Sequence, residues 1–121
     1  MKTSAVSPNH DLAMRTHREI DQRSLALHRL IAAKVRSDLA LLGKAKQILL
    51  RWRSTVSPRT FVYLDEWQHL LDQGPDVCLA VAVEDSERAA ALRQASPLAC
   101  LLTPKERFEF LKSWGGAHAS Q

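Results

Sequence analysis

The sequence has no long apolar run. The longest, Val77 to Val83, spans seven residues, well short of the roughly 18 that cross a bilayer. The opening decapeptide, MKTSAVSPNH, has no apolar core of the kind a secretory signal requires. These absences predict a cytoplasmic protein with no membrane partner. Cysteine is scarce as well. Cys78 and Cys100 are the only two, and both sit in apolar sequence, which predicts buried, reduced thiols. No closely spaced histidines accompany them, so they make a poor zinc site.

Glycine is confined to Gly43, Gly74, Gly115 and Gly116. No glycine-rich phosphate loop can be built from these positions. There is no histidine pair at metal-binding spacing with an acid, and no serine or cysteine nucleophile motif. The sequence therefore predicts no catalytic residues, no metal and no cofactor. At 121 residues the chain suffices for one domain with a core of its own.

Charge is present in ordinary amount but uneven. Residues 1–56 hold 11 Lys/Arg against 4 Asp/Glu, a net of +7. Residues 57–121 hold 6 against 9, a net of −3. Such a layout favours an acidic partner, nucleic acid, or head-to-tail association into a homo-oligomer.

Apolar periodicity reads as helix almost throughout. From Arg18 to Ser37, Ile20, Ser24, Leu27, Ile31 and Val35 fall on one face. Arg18, Arg29 and Arg36 line another. Asp38 is positioned to cap a second helix that ends near Arg53, with Leu41, Leu42, Ala45, Ile48, Leu49 and Trp52 facing inward. Ser57–Pro58 marks a third start. Phe61, Leu64, Trp67 and Leu71 form its apolar face, and DQGP at 72–75 stops it.

The stretch VCLAVAV suits a buried strand by composition. Helix is preferred, capped by Asp76, because no second strand exists to satisfy its backbone. Asp85 reads as the cap of a further helix to about Ala95, continuous with the one before if Glu84 to Gln94 is helical throughout. Within it, Glu84 and Arg88 are spaced to pair along the helix surface. TPKE at 103–106 is a capping box. It opens a last helix with Phe108, Leu111 and Trp114 facing inward and Gly115–Gly116 as its end. The three tryptophans should be largely buried or at an interface. The expected fold is an all-α compact bundle of five to six short helices over residues 18–114, with flexible tails at 1–17 and 115–121.

Two clusters could carry function through basic side chains. Lys44, Lys46, Arg51 and Arg53 flank Trp52, and with the Arg18, Arg29, Arg36 stripe they are candidates for phosphate contacts to nucleic acid. Arg23 and His28 have the Arg-x4-His spacing of HEPN-type ribonucleases. Serine follows the arginine, however, the motif comes early in the chain, and Leu27 belongs to the core face, so a chance spacing within a helix is the commoner meaning. In DSERAAALRQASP, residues 85–97, helix capping explains most of the residues. Arg88 and Arg93, with Glu87 and Gln94, remain as candidate contacts to a protein partner, arginine being enriched among interface anchors.

Three stretches carry a resemblance: LHRLIAAKVRSDLALLGKAKQILLRW, LDEWQHLL and EDSERAAALRQASPLACLLTPKERFEFL. Together they resemble a group of small bacterial proteins associated with toxin–antitoxin-like gene pairs. The pattern runs from about Leu27 to Leu111. It includes His28, then Asp85–Ser86–Glu87–Arg88, Leu92–Arg93–Gln94, Ser96–Pro97, and finally Thr103–Pro104 with Glu106–Arg107. Leu39, Ala95, Leu98 and Cys100 depart from it, standing where proline, serine, phenylalanine and glycine are expected. The resemblance implies an antitoxin-like, partner-binding role toward a protein encoded nearby, and it implies no mechanism. A nucleic-acid-binding regulator using the basic half is the alternative.

Overall fold

Six stretches of helical apolar periodicity become six α-helices. The computed structural model describes the backbone of residues 7–118 and the side chains of residues 18–115. α1 spans Ser7–Ser37, α2 Leu41–Trp52, α3 Phe61–Gln73, α4 Pro75–Ala82, α5 Glu87–Arg93 and α6 Pro104–His118. Short 3-10 turns at Pro58–Thr60 and Pro97–Leu101 lead into α3 and toward α6. Among the described residues there is no strand, so VCLAVAV is helical, and the fold is an all-α bundle. No helix is long and apolar enough to cross a membrane among the described residues.

α1 is longer than its apolar stripe. At 31 residues it runs about 46 Å, and it begins eleven residues before Arg18, within the stretch expected as a tail. Periodicity reports only the part of a helix that packs; the preceding turns carry no such signature. Leu27, Ile31 and Val35 are buried as expected, but Ile20 lies 42% exposed, beyond the reach of the other helices.

The links between helices are short, and their caps fall one or two residues from the expected ones. Asp38 does not cap α2. Its own N–H is spent on the carbonyls of Lys34 and Val35, closing α1. The turn at 38–40 then tightens through backbone bonds, and Ala40 stands at the start of α2 with no side-chain cap. Ser57 does cap, accepting from the Arg59 N–H, with Pro58 at the first position of the turn. Gly74, at φ 114°, ends α3 and begins α4, taking the place expected for Asp76. Ser86 rather than Asp85 caps α5, accepting from the Ala89 N–H. α4 and α5 are separate helices, because Val83 to Ser86 leaves helical geometry.

The core gathers from every helix except the outer part of α6. Trp67 is fully buried, and its indole N–H donates to the Leu92 carbonyl at 2.8 Å, tying α3 to α5. Leu64, Leu70 and Leu71 flank it on α3. α2 contributes Leu41, Leu42, Ala45 and Leu49, with Ile48 and Trp52 half-buried. Cys78 is buried on α4; Cys100 is exposed on the second 3-10 turn, and both thiols are free. The expectation of two buried cysteines therefore fails at Cys100, which lies on the outer side of that turn.

α6 is rotated relative to the expected packing. Phe110, two residues on from Phe108, packs on the core, and its ring stacks on Trp114 at 6.2 Å. That rotation leaves Phe108 65% exposed and turns Leu111 outward too, with Trp114 half-buried. Gly115 has no left-handed conformation, so the glycine pair does not stop the helix.

Two glycines make opposite predictions. Gly43 lies inside α2 on an exposed face, and a Cβ there meets nothing within 4 Å. Gly43→Ala should stabilise the fold by about 0.5–1 kcal/mol, since alanine loses less chain entropy in a helix. Gly74→Ala should destabilise it, because its φ of 114° is one that side chains rarely adopt. Urea unfolding of both variants checks the pair.

Candidate functional site

A cleft of about 940 Å³ lies between α1, the α4–α5 junction and the end of α6. α1 supplies one wall because its residues at spacings of three and four share a face: Arg18, Asp21, Gln22, Leu25, Ala26 and Arg29. The opposite wall is the start of α5, with Asp85, Ser86 and Glu87 at its rim and Ala90 and Arg93 deeper. Trp114 reaches it from α6. Leu25, Ala26, Ala90 and Trp114 thus give an apolar lining between charged edges.

Arg93 is the most deeply buried arginine or lysine among the described residues. It is 5% exposed. One terminal nitrogen donates to the carbonyls of Ala82 at 3.0 Å and Glu84 at 2.8 Å. These carbonyls end α4, so a side chain on α5 caps the preceding helix rather than its own. Its Nε is buried without a hydrogen-bond partner. Burial lowers its pKa from the ordinary arginine value; Asp21 and Asp85 act against that shift and Arg29 adds to it. Among the described residues five ion pairs form elsewhere on the surface, and none within the cleft. They join Lys34 to Glu106, Arg36 to Asp76, Lys46 to Asp72, Arg53 to Asp65 and Arg88 to Glu66. Arg18, Asp21, Arg29, Asp85, Glu87 and Arg93 form none.

The residues that carry the family resemblance prove largely structural. His28 is 1% exposed. Its Nδ1 lies 2.8 Å from the Ser24 carbonyl, which can only accept, so Nδ1 carries the proton. Nε2 then accepts from the Ser96 hydroxyl at 2.9 Å, and Ser96 in turn accepts from the Leu98 N–H. This chain ties α1 to the turn before α6 across 68 residues of sequence. Burial, more than the nearby Arg93, pushes the His28 pKa down to about 4. Lys34 donates to the Leu101 carbonyl and to Glu106, whose carboxylate also receives the Thr103 N–H. Thr103 returns the bond by accepting from the Glu106 N–H, completing the expected capping box. The Lys34 ammonium holds the Glu106 carboxyl below its ordinary pKa.

The four candidate partner contacts separate. Glu87 and Arg93 share the cleft. Arg88 turns away and binds Glu66 on α3 at 2.8 Å. It does not pair with Glu84, which lies before α5 begins and instead accepts from Ser86. Gln94 is exposed at the end of α5.

The basic candidates divide as well. Arg18 and Arg29 line the cleft. Arg36 reaches Asp76 on α4. Lys46 and Arg53 pair with Asp72 and Asp65 on α3 at 3.7 and 2.6 Å. That ladder steps seven residues up α2 and seven down α3, as antiparallel helices require. Lys44 and Arg51, also seven apart, remain exposed on another face of α2. Arg23 is exposed while His28 is inside, so the Arg-x4-His spacing forms no common site. No metal-binding cluster occurs among the described residues.

Sequence reading overlooked Asp21, Gln22 and Trp114 as cleft residues. The signal was available for α1, where Arg18, Gln22, Leu25 and Arg29 repeat at helical spacing. For Trp114 there was none, since its place depends on how α6 docks. No family model, curated protein or solved structure matches the chain.

The buried imidazole predicts an acid-sensitive fold. An unfolded chain takes up a proton at His28 near pH 6.5, whereas the folded protein resists it until about 4. Stability from this group is therefore complete above 6.5 and falls as pH drops from 6.5 to 4. The loss approaches about 3 kcal/mol. Urea titrations at pH 7.5 and 4.5 should show a smaller drop in His28→Gln than in the native protein. An equal drop in both would assign the acid sensitivity to other groups.

Arg88→Ala and Arg93→Ala should also part company. Removing the exposed Arg88 should change stability by less than about 1 kcal/mol. Removing Arg93 leaves two carbonyls unmet and should cost roughly 2–4 kcal/mol. Melting of the two variants under one set of conditions measures the difference.

Proposed function

We propose that the chain is a non-catalytic, antitoxin-like binding domain that acts in the bacterial cytoplasm on a protein encoded by a neighbouring gene. The observation that supports this reading is the cleft, where six ionised side chains surround an apolar lining without pairing among themselves. Arg18, Arg29, Asp85 and Glu87 are exposed and form no ion pair, so a partner that supplies opposite charges and covers the apolar lining can pair with them and is oriented by them.

The resemblance to proteins of toxin–antitoxin-like gene pairs points the same way, through Asp85 and Glu87. These two residues of the DSER motif have no capping role in the fold, and both line the cleft. The basic patch of α2 gives less support to nucleic-acid binding, because Lys46 and Arg53 are already committed to acids on α3.

Co-expression with the product of the adjacent gene, followed by size-exclusion chromatography, tests the proposal. A stoichiometric complex that persists at physiological salt is expected. Two proteins that elute separately at micromolar concentration would refute the reading.

A further inference from the structure

We infer that the cleft receives a segment of the partner that carries charges of both signs around an apolar side chain. The inference rests on the partner-binding reading and adds the location and chemistry of the contact. Its basis is the arrangement of unpaired charge. The α1 edge presents Arg18 and Arg29 with Asp21 between them in sequence, and the α5 edge presents Asp85 and Glu87 with Arg93 beneath. These groups border one recess yet none lies within ion-pair distance of another. The recess between them has a volume of about 940 Å³, room for side chains of a ligand. A carboxylate entering there meets the guanidinium forks of α1, which favour two-pronged contacts. An arginine or lysine meets the carboxylates of α5. Between them Leu25 and Ala90 accept an apolar side chain.

Arg93 sets the charge balance of this recess. Its guanidinium lies at the base, where Asp21 and Asp85 offset the effect of burial and Arg29 adds to it. The base is therefore not a simple anion hole, and a ligand of one sign meets repulsion at one of the two edges. A phosphate backbone would be drawn to Arg18 and Arg29 but opposed by Asp85 and Glu87. A second copy of this chain is a different occupant, and the experiment distinguishes it.

The probe is the purified product of the adjacent gene, titrated by calorimetry into the native protein and three variants. Arg29→Glu and Asp85→Lys each reverse one exposed charge; Asp85→Lys also removes a carboxylate that supports Arg93 and should lower the melting temperature somewhat, so binding is measured well below the melting temperature of every variant. Arg88→Glu is the control outside the cleft. Each edge reversal should weaken binding at least about tenfold, while Arg88→Glu leaves it within about twofold. If the complex forms with unchanged affinity in both edge variants, the cleft is not the contact, though partner binding survives. If Asp85→Lys tightens binding, the ligand is anionic and the mixed-charge inference fails. If the native protein alone sediments as a dimer that Arg29→Glu dissociates, the occupant is a second copy. If the native pair shows no binding, the partner reading fails and the inference with it.

Discussion

One buried guanidinium fixes the geometry on which the cleft depends. Arg93 lies on α5, but its hydrogen bonds close the end of α4. The short link from Val83 to Ser86 is thereby held from beneath, and Asp85 and Glu87 are placed at the rim. A cation in that position must be stabilised from its surroundings, because burial penalises its charge. Asp21 and Asp85 provide part of this at a distance and without contact. The carboxylates of the cleft thus have a role in the fold even when no ligand is present. Fold and site share the same charges, and the His28–Ser96 bond beside them anchors the opposite end of α5 to α1.

What the sequence disclosed was governed by how local the interaction is. Thr103 and Glu106 satisfy each other within one turn, so their capping box was legible from four letters. The helical state of VCLAVAV was legible by elimination, since no other strand exists to pair with it. Asp38, Asp76 and Asp85 misled because cap preference tolerates a shift of one or two residues. The outcome in each case was decided by the connection: the Asp38 N–H was taken by α1, and Gly74 and Ser86 had the backbone angles needed. The register of α6 was not legible. Phe108, Phe110, Leu111 and Trp114 permit two apolar faces, and only docking against the core selects Phe110 over Phe108. The cleft was half legible, through the α1 spacing, because its other wall comes from residues more than fifty positions away.

The segregation of charge along the chain acquires a different meaning once the helices are paired. Four of the five ion pairs join a base from the first half to an acid from the second. Part of the positive charge of the first half is thus neutralised by the second within one molecule. These are exposed pairs, each contributing little to stability, but they set register: the α2–α3 ladder would be disrupted by a slip of either helix. Lys44 and Arg51 on α2 and the mixed set around the cleft are among the groups left over.

Gly74 has a consequence of a geometric kind. It serves as the last point of α3 and the first of α4, and Pro75 follows at once. No slack separates the two helices. One extra residue there would not lengthen a loop; absorbed into α4, it would turn the helix by about 100° about its axis. Cys78 and Leu79, now fully buried, would rotate off the core, and Ala82 would carry its carbonyl away from the Arg93 guanidinium. The phase of α4, set by a single glycine, is transmitted in this way to the rim of the cleft at the far end of that helix. Length variation at this joint is therefore coupled to the shape of the cleft.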